Sequence, residues 1–295
     1  MKKIIYFLIF SALFIQCGKP KEQIQGISAP ANTTNLKNLN VSILIDLSDR
    51  IDPEKNANPT MEYFQRDVEY IKSINKGFLD HIKTKRVIQL NDQMQVFFNP
   101  EPSDPKMNEL TKELKVFFDK TTTKDNINLV DKKYSSLPLQ IYQSAIKDKQ
   151  YVGSDIWGFF KNQVKDYCIK ENYRNLLFIL TDGYIYHKDS KFSEGKMTSY
   201  LTPELIKSLR LNSSDFKTKI QDKGLGFIKA NDDLDNLEVI VLGINPEKGN
   251  PFEEAVIKEY WENWFKEMKI KHYQIKSADL PSNLEPIILK AISGK

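Results

Sequence analysis

Carboxylate and hydroxyl side chains lie at the ends of two apolar runs in this sequence. Asp46 and Ser48 end the first run, Asp182 follows the second, and a loop between them carries Ser154 and Asp155. Such groups are hard oxygen donors, which suit Mg²⁺ because it prefers octahedral oxygen coordination and keeps several waters. Metal binding is therefore the first chemistry to consider. The alternative is a purely structural network in which Ser154 or Asp155 caps the N-terminus of a helix.

Apolar residues form short continuous runs in some segments and recur at helical spacing in others. These two patterns alternate along the chain and predict alternating strands and helices. Buried strands are predicted at residues 40–47, 175–181 and 237–244, and a last strand at 269–277. Helices are predicted at residues 61–82, 107–118, 137–146, 155–169, 203–211, 252–268 and 284–292. Residues 86–90 and 93–98 predict a hairpin around Asn91 and Asp92.

Continuous apolar strands separated by amphipathic helices indicate an α/β fold. We predict a doubly wound, mostly parallel central sheet with helices on both faces and one antiparallel edge strand. In such sheets, ligands bind outside the carboxyl ends of the strands. The residues just after Leu47, Leu180 and Ile244 are therefore where function is expected.

The pieces DLS, GSDI and TDG, in this order and strand context, resemble the von Willebrand factor A (vWA) domain and its metal-ion-dependent adhesion site. Asp46 and Ser48 match the first two positions of Asp-x-Ser-x-Ser, Ser154 matches the loop threonine, and Asp182 matches the last aspartate. The resemblance covers residues 40–292 and rests on short motifs. It implies that these four residues hold Mg²⁺, with Mn²⁺ and Ca²⁺ also open, and that an acidic group of a protein partner completes the coordination.

One residue departs from the vWA pattern. The third position of Asp-x-Ser-x-Ser is Arg50, whose guanidinium cannot bind a cation and stays charged. In one interpretation Arg50 points outward, and Asp49, Asp52 or a water fills the gap in a weakened metal site. In the other, its guanidinium pairs with Asp46 or Asp182 and takes the place of the metal. The sequence leaves both open.

The connection at residues 184–236 is unusually long for a compact domain and leaves from the predicted functional edge. It carries Tyr184, Tyr186 and His187, which are candidates for contacting a partner. The alternative is one helix of the family plus a surface excursion without function. The aromatic stretch at 260–265 is expected to pack in the core.

The N-terminal sequence predicts a targeting signal and a membrane anchor rather than part of the folded domain. Residues 1–16 have a basic start and an apolar stretch too short to span a bilayer permanently, and they resemble a bacterial lipoprotein signal that ends before Cys17. Acylated Cys17 would hold the chain at a membrane of the cell envelope, facing the periplasm or the outside. Residues 17–39 are expected to be a flexible tether before a domain at 40–293. Cys168 is expected to be buried and inert.

Composition excludes several classes of protein. The chain has 43 Lys and Arg against 39 Asp and Glu, interleaved along its length, which argues against binding nucleic acid. Three histidines without ligand spacing, and no GxSxG or phosphate loop, argue against an enzyme. A phosphatase of the haloacid dehalogenase type would need Asp-x-Asp where Ser48 stands. We therefore expect a non-enzymatic recognition module, with a metal-free scaffold of an envelope complex as the alternative.

Overall fold

The structure is a computed structural model, and it describes residues 36–151 and 154–294. Within these residues a six-stranded sheet has the order β3-β2-β1-β4-β8-β9, and a small second sheet has the order β5-β6-β7. The strands are β1 (Asn38–Ile45), β2 (Asp92–Phe97), β3 (Val116–Phe118), β4 (Tyr173–Leu180), β5 (Ser193–Glu194), β6 (Met197–Thr198), β7 (Gly226–Phe227), β8 (Leu237–Ile244) and β9 (His272–Ser277). The predicted signal peptide, Cys17 and most of the predicted tether lie outside the described residues.

Helices connect these strands. They are α1 (Tyr63–Thr84), α2 (Pro105–Glu113), α3 (Lys124–Asp148), α4 (Ile156–Asn162), α5 (Val164–Cys168), α6 (Pro203–Ser208), α7 (Phe216–Lys223), α8 (Glu253–Glu267) and α9 (Pro281–Ser293). None of the helices in the described part of the chain combines the length and apolarity that a bilayer-crossing segment needs.

The central sheet is parallel except at one edge. β1 pairs in parallel with β2 and β4, β4 with β8, and β8 with β9, whereas β3 is antiparallel to β2. Consequently the carboxyl ends of β1, β4 and β8 meet at one edge of the sheet. This confirms the predicted doubly wound α/β architecture with one antiparallel edge strand.

Each face of the sheet is covered by its own apolar layer. Along β4, Leu176, Phe178 and Leu180 belong to one buried cluster, and Leu177 and Ile179 belong to the other. The first cluster includes residues of α1, α2, α3 and α9, and the second includes residues of α4 to α8. A strand covered on both faces is apolar at most positions, which is why β4 and β8 show no polar alternation.

The predicted hairpin at 86–98 is wrong. Residues Val87–Gln89 form a 3₁₀ turn, and β2 pairs in parallel with β1. The antiparallel partner of β2 is β3, whose residues the apolar pattern places at the end of the helix predicted at 107–118. That helix ends at Glu113, so the three apolar residues of β3 continued a helical pattern by coincidence.

Two other helix predictions had the wrong extent. The helix predicted at 137–146 is the second half of α3, which begins after Thr123 with a capping box to Asn126. Thr-x-x-Asn is a start signal that the apolar pattern did not reveal. The helix predicted at 155–169 is divided into α4 and α5 at Gln163, whose φ of −128° is not helical.

Cys168 is buried at the end of α5, as predicted. Burial raises the pKa of its thiol to about 12, against a smaller opposing effect of the nearby Ser42 hydroxyl. The thiol therefore stays protonated at neutral pH and lacks the thiolate that reacts.

A buried ionic cluster joins the starts of β1 and β2. Asp92 accepts hydrogen bonds from Lys85 Nζ at 2.6 Å and from the Leu39 amide at 2.7 Å, and His81 Nε2 lies 3.2 Å from it. Burial acts to raise the pKa of Asp92, but the hydrogen bonds from His81, Lys85 and Leu39 outweigh it and lower the pKa below 3.8. The charged carboxylate is thus favoured in the folded chain.

We expect Asp92→Asn to lower the free energy of unfolding by about 2 kcal/mol at pH 7, because the bonds to a charged acceptor are lost. A carboxyl with a lowered pKa stabilises the fold above its unfolded pKa, and this contribution is lost as the pH falls through the folded pKa. The difference in free energy of unfolding between the native chain and Asp92→Asn should therefore narrow below pH 3.8, the ordinary pKa of an aspartate. Urea unfolding at several pH values checks this; a difference that grows on acidification would contradict it.

Candidate functional site

Asp46 lies just after β1, at the carboxyl edge of the sheet. Its amide donates to the Leu180 carbonyl at 3.0 Å, which ties it to the end of β4. Its carboxylate accepts from the Ser48 amide at 2.8 Å and from the Thr181 hydroxyl at 2.8 Å, one on each oxygen. Asp46 is only 1% exposed. Both oxygens therefore already serve as acceptors inside the protein.

Arg50 turns inward from a 3₁₀ turn at Asp49–Ile51. Its Nη2 donates to Asp67 at 2.5 Å and to the Leu180 carbonyl at 2.9 Å, and its Nε lies 3.5 Å from Asp46 Oδ2. The Tyr142 hydroxyl donates to the same Asp67 oxygen at 2.8 Å. Burial acts to lower the pKa of Arg50, but Asp67 and Asp46 outweigh it and raise the pKa. The guanidinium is a fixed, permanently charged centre of the network.

The sequence patterns do not identify Asp67, Tyr142 or Thr181 as site residues. Asp67 is 2% exposed although it lies on the apolar face of α1, one turn from Phe64 and Ile71. A charged residue on the apolar face of a helix is the signal that could have found it, because such a charge needs a buried partner.

Asp182 follows β4 in a tight turn. Its Oδ1 accepts from the Tyr184 amide at 3.1 Å, and its carbonyl accepts from the Asn245 amide at 2.9 Å, next to the end of β8. Burial and repulsion by Asp46 raise the pKa of Asp182 to about 7. Gly183 has a φ of 99°, and a Cβ there would lie 2.6 Å from the Ile244 side chain, which explains the glycine of TDG.

Ser154 and Asp155 enter α4 at the same edge. Asp155 caps α4, since its carboxylate accepts from the Gly158 amide at 2.8 Å. The same oxygen accepts from the Ser190 hydroxyl at 2.6 Å, and His187 Nδ1 lies 4.0 Å from the other oxygen. Asp155 therefore has the capping role that the sequence offered as the alternative, and it also holds the insertion at residues 184–236.

Asp49 and Asp52 engage other partners. Asp49 is exposed and pairs with Lys55 at 3.0 Å. Asp52 is buried and accepts from the Glu54 amide at 2.9 Å. Neither supplies the acceptor that the outward-pointing interpretation of Arg50 required.

The insertion presents its aromatic residues in two different ways. Tyr184 is fixed, because its hydroxyl donates to Glu253 at 2.6 Å and accepts from the Glu247 amide at 2.9 Å. Tyr186 is 45% exposed, and its backbone forms a β-bridge with Ser154. Of the candidate contact residues, Tyr186 is therefore the one available to a partner.

The insertion is also part of the core. Phe227 is 1% exposed and packs against Tyr260, Trp261 and Trp264 of α8, with ring centroids 5.2–6.3 Å apart. The Trp264 indole donates to the Ile228 carbonyl at 3.0 Å. The aromatic stretch at 260–265 is thus core, as predicted.

A cleft of about 1170 Å³ opens at this edge of the sheet. The four metal-site residues that the sequence predicts all line it: Asp46, Ser48, Ser154 and Asp182. Its lining also includes Arg50 and, from the insertion, Tyr184, Tyr186 and His187. The structure therefore gathers these residues around one opening.

The residues present do not fit a divalent cation at the position that the vWA resemblance implies. Arg50 already places a positive charge 3.5 Å from Asp46, and both Asp46 oxygens accept hydrogen bonds. In the described part of the chain, no group of three or more His, Cys, Asp or Glu side chains could hold a metal ion. Magnesium binding stays a prediction that unfolding measurements can test.

No protein-family model and no curated protein matches the sequence. Solved structures with a similar course of the chain include an aerotolerance-related membrane protein from Bacteroides fragilis, with 15% identity over 88% of this chain and all of the other and a TM-score of 0.37. Another is BatB from Bacteroides thetaiotaomicron, with 14% identity over 87% of this chain and 98% of the other and a TM-score of 0.36.

A third is the pilus adhesin SpaC from Lactobacillus rhamnosus GG, with 9% identity over 88% of this chain but only 30% of the adhesin and a TM-score of 0.43. At such identities and TM-scores these likenesses carry no inference about function. The chain's own architecture, a mostly parallel six-stranded sheet between two layers of helices, is consistent with a vWA or Rossmann-like α/β fold.

Proposed function

We propose that the chain is a non-enzymatic protein-recognition module of the bacterial cell envelope, and that a polar segment of its partner enters the cleft. The cleft itself supports this best: its floor is a network of paired charges, and its wall presents the exposed ring of Tyr186. Paired, immobile charges and an exposed aromatic ring suit recognition, since aromatic residues are enriched at protein interfaces. Acylation of Cys17 would keep the module at a membrane surface.

The environment of Asp46 argues against the phosphatase alternative. A phosphatase of the haloacid dehalogenase type would use Asp46 as its nucleophile. Here the carboxylate is 1% exposed, bonded on both oxygens and paired with Arg50, all of which lower its availability and nucleophilicity. Turnover of a generic phosphoester by the purified chain would contradict our proposal.

A metal-free scaffold of an envelope complex is the second candidate, and the inward position of Arg50 favours it. If the charge network only supports the fold, partner contacts need involve only the surface of the insertion. Replacing Asp182, which lines the cleft, would then leave the partner bound, whereas changes in residues 184–236 would release it.

Site-specific photo-crosslinking tests the proposal. We expect a photoreactive amino acid at Tyr186 to give a discrete protein adduct in the envelope of the source bacterium. The matched control is Tyr167, which is 50% exposed and does not line the cleft, and it should not give that adduct. Adding Asp182→Ala should abolish the adduct from position 186.

The outcomes separate the two candidates. An adduct from position 186 that disappears with Asp182→Ala supports recognition through the cleft. An adduct that persists with Asp182→Ala supports the scaffold instead. The absence of an adduct at 186, or the same adduct from both positions, rejects recognition through the cleft.

A further inference from the structure

We propose that the exposed turn at residues 86–89 is a membrane contact of this chain, and that it places Val87 and Ile88 in the surface of a bilayer that contains anionic lipids. The proposal rests on the envelope attachment in the proposed function, but it concerns the amino edge of the sheet, opposite the cleft. It predicts which side of the domain faces the membrane.

Two apolar side chains protrude from the 86–89 turn. Ile88 is 79% exposed and Val87 is 49% exposed. Among the large apolar residues that are exposed in the described part of the chain, these are the only two adjacent in sequence, and Ile88 is the most exposed. A single exposed apolar residue needs no explanation, but a contiguous pair at the tip of a turn favours contact with an apolar phase.

Hydrogen bonds fix the backbone of the turn. The Gln89 amide donates to the Arg86 carbonyl at 2.8 Å, and the Leu90 amide donates to the Val87 carbonyl at 3.1 Å. Leu90 is 5% exposed and belongs to the core cluster that includes α1, so it anchors the end of the turn. The exposure of Ile88 is therefore built into the fold, and the two bonded amides keep their partners when the turn enters a lipid surface.

The charges around the turn complement an anionic surface. Residues 83–91 contain Lys83, Lys85 and Arg86 and no acidic residue. Arg86 is exposed, and the side chain of Lys83 is 59% exposed and 3.4 Å from its partner Asp80. Basic residues beside an anionic bilayer strengthen binding to it. An apolar tip with basic neighbours is the combination that favours the interface of such a bilayer.

The turn lies where the chain enters the domain. Lys85 Nζ donates to Asn38 at 2.6 Å and to Asp92 at 2.6 Å, which ties the turn to the amino ends of β1 and β2. Cys17, the predicted lipid attachment, precedes Asn38 by 21 positions, so the lipid would be at most about 75 Å from this entry. An anchor within that distance makes the second contact intramolecular, so that even a weak contact is populated.

This contact would place the cleft on the far side of the domain from the membrane. β1 runs for eight residues from the amino edge of the sheet to the carboxyl edge, about 26 Å at the usual rise of a strand. The cleft lies at the carboxyl edge, beyond the end of β1. With the 86–89 turn on the bilayer, the cleft is held away from the lipid, where a partner can reach it.

The experiment uses the full chain on vesicles of phosphatidylcholine and phosphatidylglycerol, isolated by flotation. A fluorescent label is attached through Ile88→Cys in one protein and through Glu54→Cys in the matched control. The Glu54 side chain is 76% exposed and lies in the loop after β1, at the opposite edge of the sheet. Because Cys168 is buried, native chain treated with the label gives the background from any unacylated Cys17.

We expect nitroxide groups carried by the lipid chains to quench the label at position 88 but not the label at position 54. Dissolved iodide should quench the label at position 54 more strongly than the label at position 88. Arg86→Glu added to Ile88→Cys, or high salt, should reduce quenching by the lipid at position 88 while the chain still floats, because both weaken attraction to the anionic surface.

Other results would overturn the proposal. Equal quenching at positions 54 and 88, by lipid or by iodide, would mean that no side of the domain faces the bilayer. A label at position 88 that neither quencher reaches would mean that a second copy or another protein covers the turn. Equal quenching by lipid on vesicles of phosphatidylcholine alone would exclude selection of anionic lipid, and chain that does not float would exclude membrane contact altogether. Crosslinking at position 186 is independent of all these results, so recognition through the cleft is tested separately.

Discussion

Asp67→Ala should lower the free energy of unfolding by about 3–5 kcal/mol, because it leaves a buried guanidinium without its main partner. Asp67 accepts from Arg50 Nη2 at 2.5 Å and from the Tyr142 hydroxyl at 2.8 Å, and all three residues are buried. Arg50 would retain only its 3.5 Å contact with Asp46 and its bond to the Leu180 carbonyl. Urea unfolding followed by tryptophan fluorescence measures the loss.

Asp80→Ala is the matched control, since Asp80 is on the same helix and is also paired with a basic residue. Its partner Lys83 is 3.4 Å away, and both side chains are more than half exposed, so the change should cost no more than about 0.5 kcal/mol. Asp67→Asn, which keeps an acceptor oxygen but no charge, should fall between the two. Equal, small effects of Asp67→Ala and Asp80→Ala would mean that Arg50 is not held as the structure places it.

The fold could be predicted from sequence where burial alone determines the pattern. β1, β4 and β8 are covered on both faces, so their continuous apolar runs identified them and gave their carboxyl ends. β3 could not be recognised, because its three residues are too few to establish a period of two and follow directly on a helical apolar pattern. Its pairing with β2 depends on contacts that local sequence does not encode.

The candidate site was likewise predictable only where it follows from the strands. The ends of β1 and β4 placed Asp46 and Asp182 together, because parallel strands end at one edge. The direction of Arg50 was not predictable, since it is decided by Asp67, 17 residues later on a different element. The motif shows that Arg50 departs from the vWA pattern. Only the tertiary structure shows that Asp67 pairs with it.

Phe227→Ala should also destabilise the chain by about 3–5 kcal/mol, the usual range for removing a buried phenylalanine. The ring is 1% exposed, and its centroid lies 5.5 Å from that of Tyr260 and 5.2 Å from that of Trp264. The cavity would form between the insertion and α8, where two indoles share the carbonyl of Ile228 as acceptor. Urea unfolding again provides the measurement.

Phe192→Ala is the control for this change, because Phe192 belongs to the same insertion but is 42% exposed. It keeps one aromatic contact, with Trp157 at 5.0 Å, so we expect a loss of no more than about 1.5 kcal/mol. A loss from Phe227→Ala as small as that would mean that the insertion is not anchored on α8. The wall of the cleft would then have no fixed position, and Tyr186 could not present a defined surface to a partner. The packing of Phe227 on α8 and the contact of Tyr186 with a partner thus depend on the same segment. A variant in which Phe227 no longer packs should also lose binding of the partner at Tyr186.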